Sequence, residues 1–179
     1  DFIQLQNDFI KKIVSAVHKE VGENAYIITT VHGLVASGIH VVNRKFGAPD
    51  ARSVIASHYR EDRQSITDTY KYMADLLMEE IKELPSYGVD GIYFASLGGE
   101  KDYFSDEEFS ELVAPLEIEI LKYAKSIGLQ VFLHICKSNI NIRRYENYAS
   151  FSDVINWGVY ENNISLSAGK SIFPNNILM

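Results

Sequence analysis

Apolar residues recur along the chain with two alternating spacings. Stretches with helical spacing alternate with short runs rich in β-branched and aromatic residues, the pattern of repeated βα units around a parallel sheet. The helical stretches are 3–21, about 62–84, 105–127 and 165–172, and the strand-like runs are 25–31, 89–96, 129–135, 152–157 and 176–179. No linker interrupts the alternation, so the pattern predicts a single α/β domain over residues 1–179.

Local signals refine these elements. Ser105 followed by Glu108 has the spacing of a capping box and predicts a helix start, while Gly128 is typical of a helix end. Pro115 lacks a backbone donor and predicts a kink or a break within that helix. Residues 33–50, which include GLVASG and RKFGAPD, are predicted to form a loop.

Two architectures fit this pattern of elements. Five strands suffice for an open doubly wound sheet, although no GxGxxG phosphate loop follows any of them. The alternative is a piece of an eight-stranded barrel, which needs about 250 residues when complete. A last strand that reaches Met179 favours a chain cut within a domain, and the spacing alone leaves both architectures open.

Composition narrows the partners of the protein. The chain has 179 residues, 46% of them hydrophobic, with a formal net charge of -7 and a pI near 5.2. This acidic balance argues against nucleic acid and anionic membranes as partners. A single cysteine excludes an intramolecular disulfide, and no run is long enough for a membrane helix. We therefore expect a soluble, cytoplasmic protein that acts on a small molecule.

His134 and Cys136 form the first candidate site, at the end of the run VFLHIC. Residues two apart on a strand project to the same side, so an imidazole and a thiolate could approach one Zn²⁺. A buried cysteine beside a hydrogen-bonded histidine has the same spacing. Spacing therefore leaves the metal site and the structural pair both open.

The other predicted strand ends carry further candidates for substrate binding, which are His32, Ser96, Gly98, Asn156 and Trp157. In parallel α/β proteins ligands bind at the carboxyl ends of the strands. Each residue also has a structural interpretation: a capping histidine, a serine or a glycine in a turn, and a packed tryptophan. The run of charges at 100–102 is interpreted as solvated surface.

Several segments together resemble the uroporphyrinogen decarboxylase superfamily, which includes zinc-dependent methylcobamide:coenzyme M methyltransferases. They are GVDGIYFAS, LHIC and DVINW, supported in the same order by REDR at 60–63, by Pro115 and by SLSAGKSIFPNNILM. The resemblance implies a TIM (β/α)8-type barrel, of which this chain supplies about strands 3 to 7.

The resemblance also implies a chemistry. In the methyltransferase branch a His-x-Cys pair at this strand end binds zinc, which makes His134 and Cys136 zinc ligands and leaves the third ligand outside this chain. A thiol activated by zinc would accept a methyl group from a corrinoid carrier. Ser96, His32 and Trp157 would line the pocket, with a corrinoid protein and the remainder of the barrel or an oligomer as partners.

Departures from the family pattern leave alternatives. Lys137 stands where the family form His-Ile-Cys-Gly has glycine, and Gly38 stands where the decarboxylases carry a tyrosine. The arginine-rich and aspartate motifs of the decarboxylases belong to early strands that this chain lacks. A metal-free decarboxylase of carboxylated tetrapyrroles is the second hypothesis. An inactive binding or assembly module with open sheet edges is the third.

Overall fold

Five parallel strands form one sheet, and each strand pairs with the next one along the chain. The computed structural model describes residues 2–22, 24–47 and 50–179, apart from the side chains of Phe2 and Phe46. The strands are β1 (Ile28–His32), β2 (Gly91–Ser96), β3 (Gln130–Ile135), β4 (Val154–Trp157) and β5 (Ile177–Leu178).

Helices connect the strands. The α-helices are α1 (Phe2–Val21), α2 (Leu34–Phe46), α3 (Ala51–Glu61), α4 (Arg63–Lys82), α5 (Asp106–Glu108), α6 (Ala114–Ser126), α7 (Val159–Asn162) and α8 (Leu166–Lys170). Two 3₁₀ segments, Leu84–Tyr87 and Ile142–Phe151, and a π-helical turn, Phe109–Val113, complete the described elements. The predicted α/β class and the predicted strands are confirmed; the last residues of β2, β3 and β4 are those predicted, and the other boundaries shift by one to three residues.

The strand order tests the doubly wound sheet, one of the two architectures that the sequence allows. A doubly wound sheet reverses its strand order at a switch point. Here the order is β1-β2-β3-β4-β5 without a reversal, so the doubly wound alternative is wrong.

The two faces of the sheet differ in burial. The residues on one face are buried beneath the helices; they are Val31, Ile92, Phe94, Val131, Leu133, Ile135 and Ile155. We call this the helix-covered face. The alternate residues form the open face, where Thr30, His32, Phe132 and His134 are exposed or half-buried. This difference follows from the two-residue repeat of a strand, because the helices cover one side of the sheet.

The loop predicted over residues 33–50 is wrong, since α2 occupies most of it and α3 follows. Gly33 and Gly38 made the segment resemble a loop. Gly38 lies inside α2 where an added Cβ would come within 3.2 Å of Ile55 Cδ1, so the glycine allows close helix packing. Asp50 then starts α3, because its carboxylate accepts a hydrogen bond from the backbone N–H of Ser53.

The predicted interruption near Pro115 is present as the π-helical turn Phe109–Val113, immediately before α6. The turn accommodates a proline without a regular helical hydrogen bond at that point. The predicted capping box is also confirmed. The Ser105 hydroxyl accepts from the Glu108 N–H at 3.0 Å, and the Glu108 carboxylate accepts from the Ser105 N–H at 2.7 Å.

Candidate functional site

Four residues form a row across the carboxyl ends of β1 to β4. His32 is in register with Ala95, Ala95 with His134, and His134 with Asn156. Neighbouring strands of a sheet lie about 4.8 Å apart, so side chains in register are neighbours on the same face. Three of the predicted site residues, His32, His134 and Asn156, therefore lie together on the open face.

His134 is held in a defined orientation by its neighbours. Its Nδ1 lies 2.8 Å from Asn156 Oδ1, and its ring stacks on Tyr93 with centroids 5.1 Å apart. Asn156 Nδ2 donates in turn to the Tyr93 hydroxyl at 3.2 Å. Because an amide oxygen only accepts, Nδ1 is the donor in this bond, and the neutral ring in this tautomer has its lone pair on Nε2. This arrangement prepares Nε2 as a ligand or a proton acceptor.

Cys136 follows His134 by two residues, and its backbone N–H donates to the Ser96 carbonyl at 3.2 Å. The thiol is half-buried, and burial raises its pKa to about 11, although the charge of Lys137 acts in the opposite direction. Without a bound cation the sulfur therefore carries a proton at neutral pH. A thiolate would require the additional positive charge of a metal ion.

His134 and Cys136 supply half of a zinc site. The Nδ1 bond to Asn156 fits the outer hydrogen bond that metal-bound histidines make. Zinc nevertheless takes at least three protein ligands. Among the described residues no three histidine, cysteine or acidic side chains come together around one point. The residues present thus fit zinc only if a further ligand joins them.

His32 lies at the edge of the site, close to a second imidazole. Its ring and that of His40 meet edge to face with centroids 4.9 Å apart. Burial lowers the pKa of His32, and repulsion from His40 lowers it further, so His32 is neutral at pH 7. A cavity of about 400 Å³ lies beside this pair. It extends to Cys136 and Lys137, the two residues that directly follow β3. This volume suits a small molecule.

Ser96 and Trp157 lie on the helix-covered face. Ser96 is fully buried and donates to Glu117 Oε2 at 2.7 Å. Trp157 packs on Phe173 with ring centroids 6.3 Å apart, and its Nε1 donates to a backbone carbonyl. Both side chains therefore have structural partners, and their contact with a substrate stays a prediction.

Gly98 follows β2 in a left-handed conformation, with a φ of 92°. Its N–H donates to Glu100 Oε2 at 2.8 Å, and Arg52 binds the other oxygen of this carboxylate at 2.8 Å. Glu100 is only 2% exposed, so the interpretation of residue 100 as solvated surface is wrong. A role of Gly98 in substrate binding stays a prediction.

Sequence reasoning missed a buried carboxyl group beneath the site. Glu117 is fully buried and accepts from the N–H of Leu34 at 3.0 Å, the Ser96 hydroxyl at 2.7 Å and the Tyr148 hydroxyl at 3.1 Å. Burial raises its pKa to about 7, against the effect of these three donors. The sequence feature that could have indicated its burial is its position four residues after Val113, within the apolar stripe of the helix.

No protein-family model matches the sequence, and no curated protein matches it significantly. The family resemblance therefore depends on the quoted segments alone. Among the described residues, no helix has the length and apolar content needed to cross a membrane.

Proposed function

We propose that this chain is part of a (β/α)8-type barrel of the uroporphyrinogen decarboxylase superfamily, with a methyltransferase-like activity. Parallel strands in sequential order, with helices on one face and an open face opposite, support this fold. The row from His32 to Asn156 would then lie at the carboxyl rim of the barrel, where such enzymes bind their substrates.

One observation carries the chemical part of the proposal. His134 and Cys136 line one cavity after β3, and the bond between His134 Nδ1 and Asn156 Oδ1 leaves Nε2 on the side away from Asn156. We infer that both residues bind zinc together with a ligand from outside the described residues. Bound zinc would lower the pKa of a substrate thiol, which would then attack the methyl group of a corrinoid carrier as a thiolate.

The residues of the chain have separate tasks in this reaction. Asn156 and Tyr93 hold the His134 ring, while His32 remains neutral and can accept or donate a hydrogen bond to the substrate. Cys136 would have to lose its thiol proton in order to hold a metal ion, because its raised pKa otherwise keeps it protonated.

The test is metal content in purified protein. We expect the protein to retain zinc after mild dialysis, and Cys136→Ser or His134→Ala to lower the zinc affinity by about tenfold to a hundredfold or more. His58→Asn is the control, because His58 is an exposed imidazole on α3. Equal zinc content in the native protein and in Cys136→Ser would contradict the ligand assignment.

A metal-free decarboxylase is the second candidate. The raised pKa of Cys136 and the lack of a third metal ligand among the described residues favour it. A protein that holds no zinc but releases CO₂ from a carboxylated tetrapyrrole, without sensitivity to chelators, would agree with this candidate.

A binding or assembly module is the third candidate. Its support is apolar exposure on the open face, where Ile28 is 38%, Ile177 65% and Met179 58% exposed. We propose that the remainder of the barrel or a second subunit covers this face, because exposed apolar area and unpaired strand edges favour association.

A further inference from the structure

The turn after β3 holds a lysine in an unusual backbone conformation. Lys137 has a φ of 77°, in the left-handed region that glycine adopts readily. For an L-residue with a long side chain this conformation costs about 1 kcal/mol or more. Lysine therefore occupies, under strain, a backbone position that glycine would adopt more readily.

Neighbouring segments hold the turn in place. Asn162 Nδ2 donates to the Lys137 carbonyl at 2.9 Å, and Asn162 Oδ1 accepts from the Ile140 N–H at 3.0 Å. On the other side, the Lys101 N–H donates to the Asn139 carbonyl at 3.0 Å. One of these bonds reaches the backbone of Lys137, the others reach the residues after it, and none needs the lysine side chain. Glycine would satisfy them with less strain, so the lysine side chain calls for another explanation.

Lys137 borders two cavities. It lines the cavity of about 400 Å³ beside His32 and another of about 380 Å³ beside His134. The side chain is exposed, and within the described ranges no carboxylate lies within ion-pair distance of its ammonium. Lys137 therefore places a positive charge beside the candidate site, and this charge is not neutralised by an ion pair.

The other charged groups around the cavities are already engaged or negative. Arg52 pairs with the buried Glu100 at 2.8 Å and stacks on Tyr103, 4.6 Å from the ring centroid. The Asp50 carboxylate lines one cavity but accepts hydrogen bonds from Ser53. Glu161 lines the other cavity. The carboxylates of Asp50 and Glu161 would repel a bound dianion more strongly than a bound monoanion.

We propose that Lys137 binds the carboxylate of a small-molecule ligand and makes the site selective for singly charged anions. The location of this ligand rests on the proposed function, since it places the ligand beside His134 and Cys136. Binding of the carboxylate itself requires no metal. An ion pair and a charge-assisted hydrogen bond to the ammonium would supply the selectivity, while neutral His32 adds a hydrogen bond without charge.

The test uses butyrate as the probe and butyramide as its uncharged match, titrated into the protein with a chelator present. Amide NMR signals of the segment 136–139 report binding. We expect saturable shifts with butyrate and at least about tenfold weaker binding of butyramide, because a hydrogen bond to a charged group contributes about 1.5–3 kcal/mol.

Four variants separate charge from backbone strain. Lys137→Gln keeps the strained turn without the charge and should weaken butyrate binding about tenfold, whereas Lys137→Arg should retain it. Lys137→Gly should weaken binding equally while raising the melting temperature, because glycine relieves the turn. Lys101→Gln, at an exposed lysine in the neighbouring loop, should change neither property.

Unchanged butyrate affinity in Lys137→Gln, equal affinity for butyramide, or no binding of butyrate at all would overturn the proposal. Because the titration contains a chelator, these outcomes do not depend on zinc. Loss of the zinc assignment with butyrate binding intact would leave Lys137 as an anion-binding residue in a metal-free site.

Discussion

The buried carboxyl group of Glu117 is expected to make the stability of the protein decrease with rising pH. Its three donors connect α6 to the first residue of α2, to the end of β2 and to the segment that contains Tyr148. Complete burial raises its pKa from 4.5 to about 7. The proton on this group therefore contributes to the folding equilibrium.

The sign follows from proton binding in the two states. Between pH 4.5 and about 7 the folded protein keeps the proton of Glu117 while the unfolded chain releases it. The folded state then binds more protons, so the free energy of unfolding falls as the pH rises through this range. The difference between 4.5 and about 7 corresponds to about 3 kcal/mol. This is a large share of the ~5–15 kcal/mol that stabilises a typical domain.

Glu117→Gln mimics the protonated group. The amide oxygen can accept from the Leu34 N–H, and the amide nitrogen can donate to the hydroxyl oxygens of Ser96 and Tyr148, which rotate to accept. Urea unfolding at about pH 5 and about pH 8 gives the free energy of unfolding for each protein. The native protein should lose up to about 3 kcal/mol over this range, and the glutamine variant should lose much less.

The control for this comparison is Glu107→Gln, a change of the same chemistry at an exposed residue of α5. It should follow the native curve. If Glu117→Gln loses the same stability as the native protein between the two pH values, Glu117 does not carry the pH dependence and the reasoning from its burial fails.

Two further substitutions test the packing around the site. Gly169→Ala places a Cβ against the ring of Trp157, and we expect a destabilisation of about 1–3 kcal/mol in spite of the better helix propensity of alanine; an unchanged melting temperature would contradict this. Arg144, whose side chain is 4% exposed, donates to three carbonyls of the segment 98–104. Arg144→Ala should cost about 3 kcal/mol in denaturant unfolding. Arg144→Lys should restore little of it, because one ammonium does not replace the planar fork, and full recovery would show that charge alone matters.

The sheet and most helices were predictable because burial imposes a period on the sequence. Strands β2 and β3 are apolar runs of the expected length, and the apolar stripes of α4 and α6 repeat with helical spacing. The prediction of a loop over the segment that contains α2 was wrong because glycine has a low helix propensity and often marks loops. Gly38 instead permits close packing against α3, which only the tertiary structure reveals.

The candidate site was predictable in part. His134 and Cys136 were expected on one side because strand residues alternate; β3 ends at Ile135, and both residues line one cavity just after it, while their common role stays a prediction. The orientation of the His134 ring depends on Asn156, which lies on another strand, and spacing contains no information about that contact. The conformation of Lys137 likewise depends on Asn162 in α7. Contacts between distant segments therefore limit what the sequence predicts about chemistry.

The sequential strand order also bears on how the chain assembles during synthesis. Every pairing joins a strand to its successor, so each ladder can form once the second strand has left the ribosome, without waiting for a later segment. The ladder between β1 and β2 closes the longest loop, since Ile28 pairs with Gly91, while Phe132 pairs with Val154 across a much shorter one. Because longer loops lose more entropy on closure, β3 with β4, and β4 with β5, can pair at a lower entropic cost than β1 with β2. The His134–Asn156 pair lies in one of these short-range ladders, so this part of the candidate site depends little on distant parts of the chain.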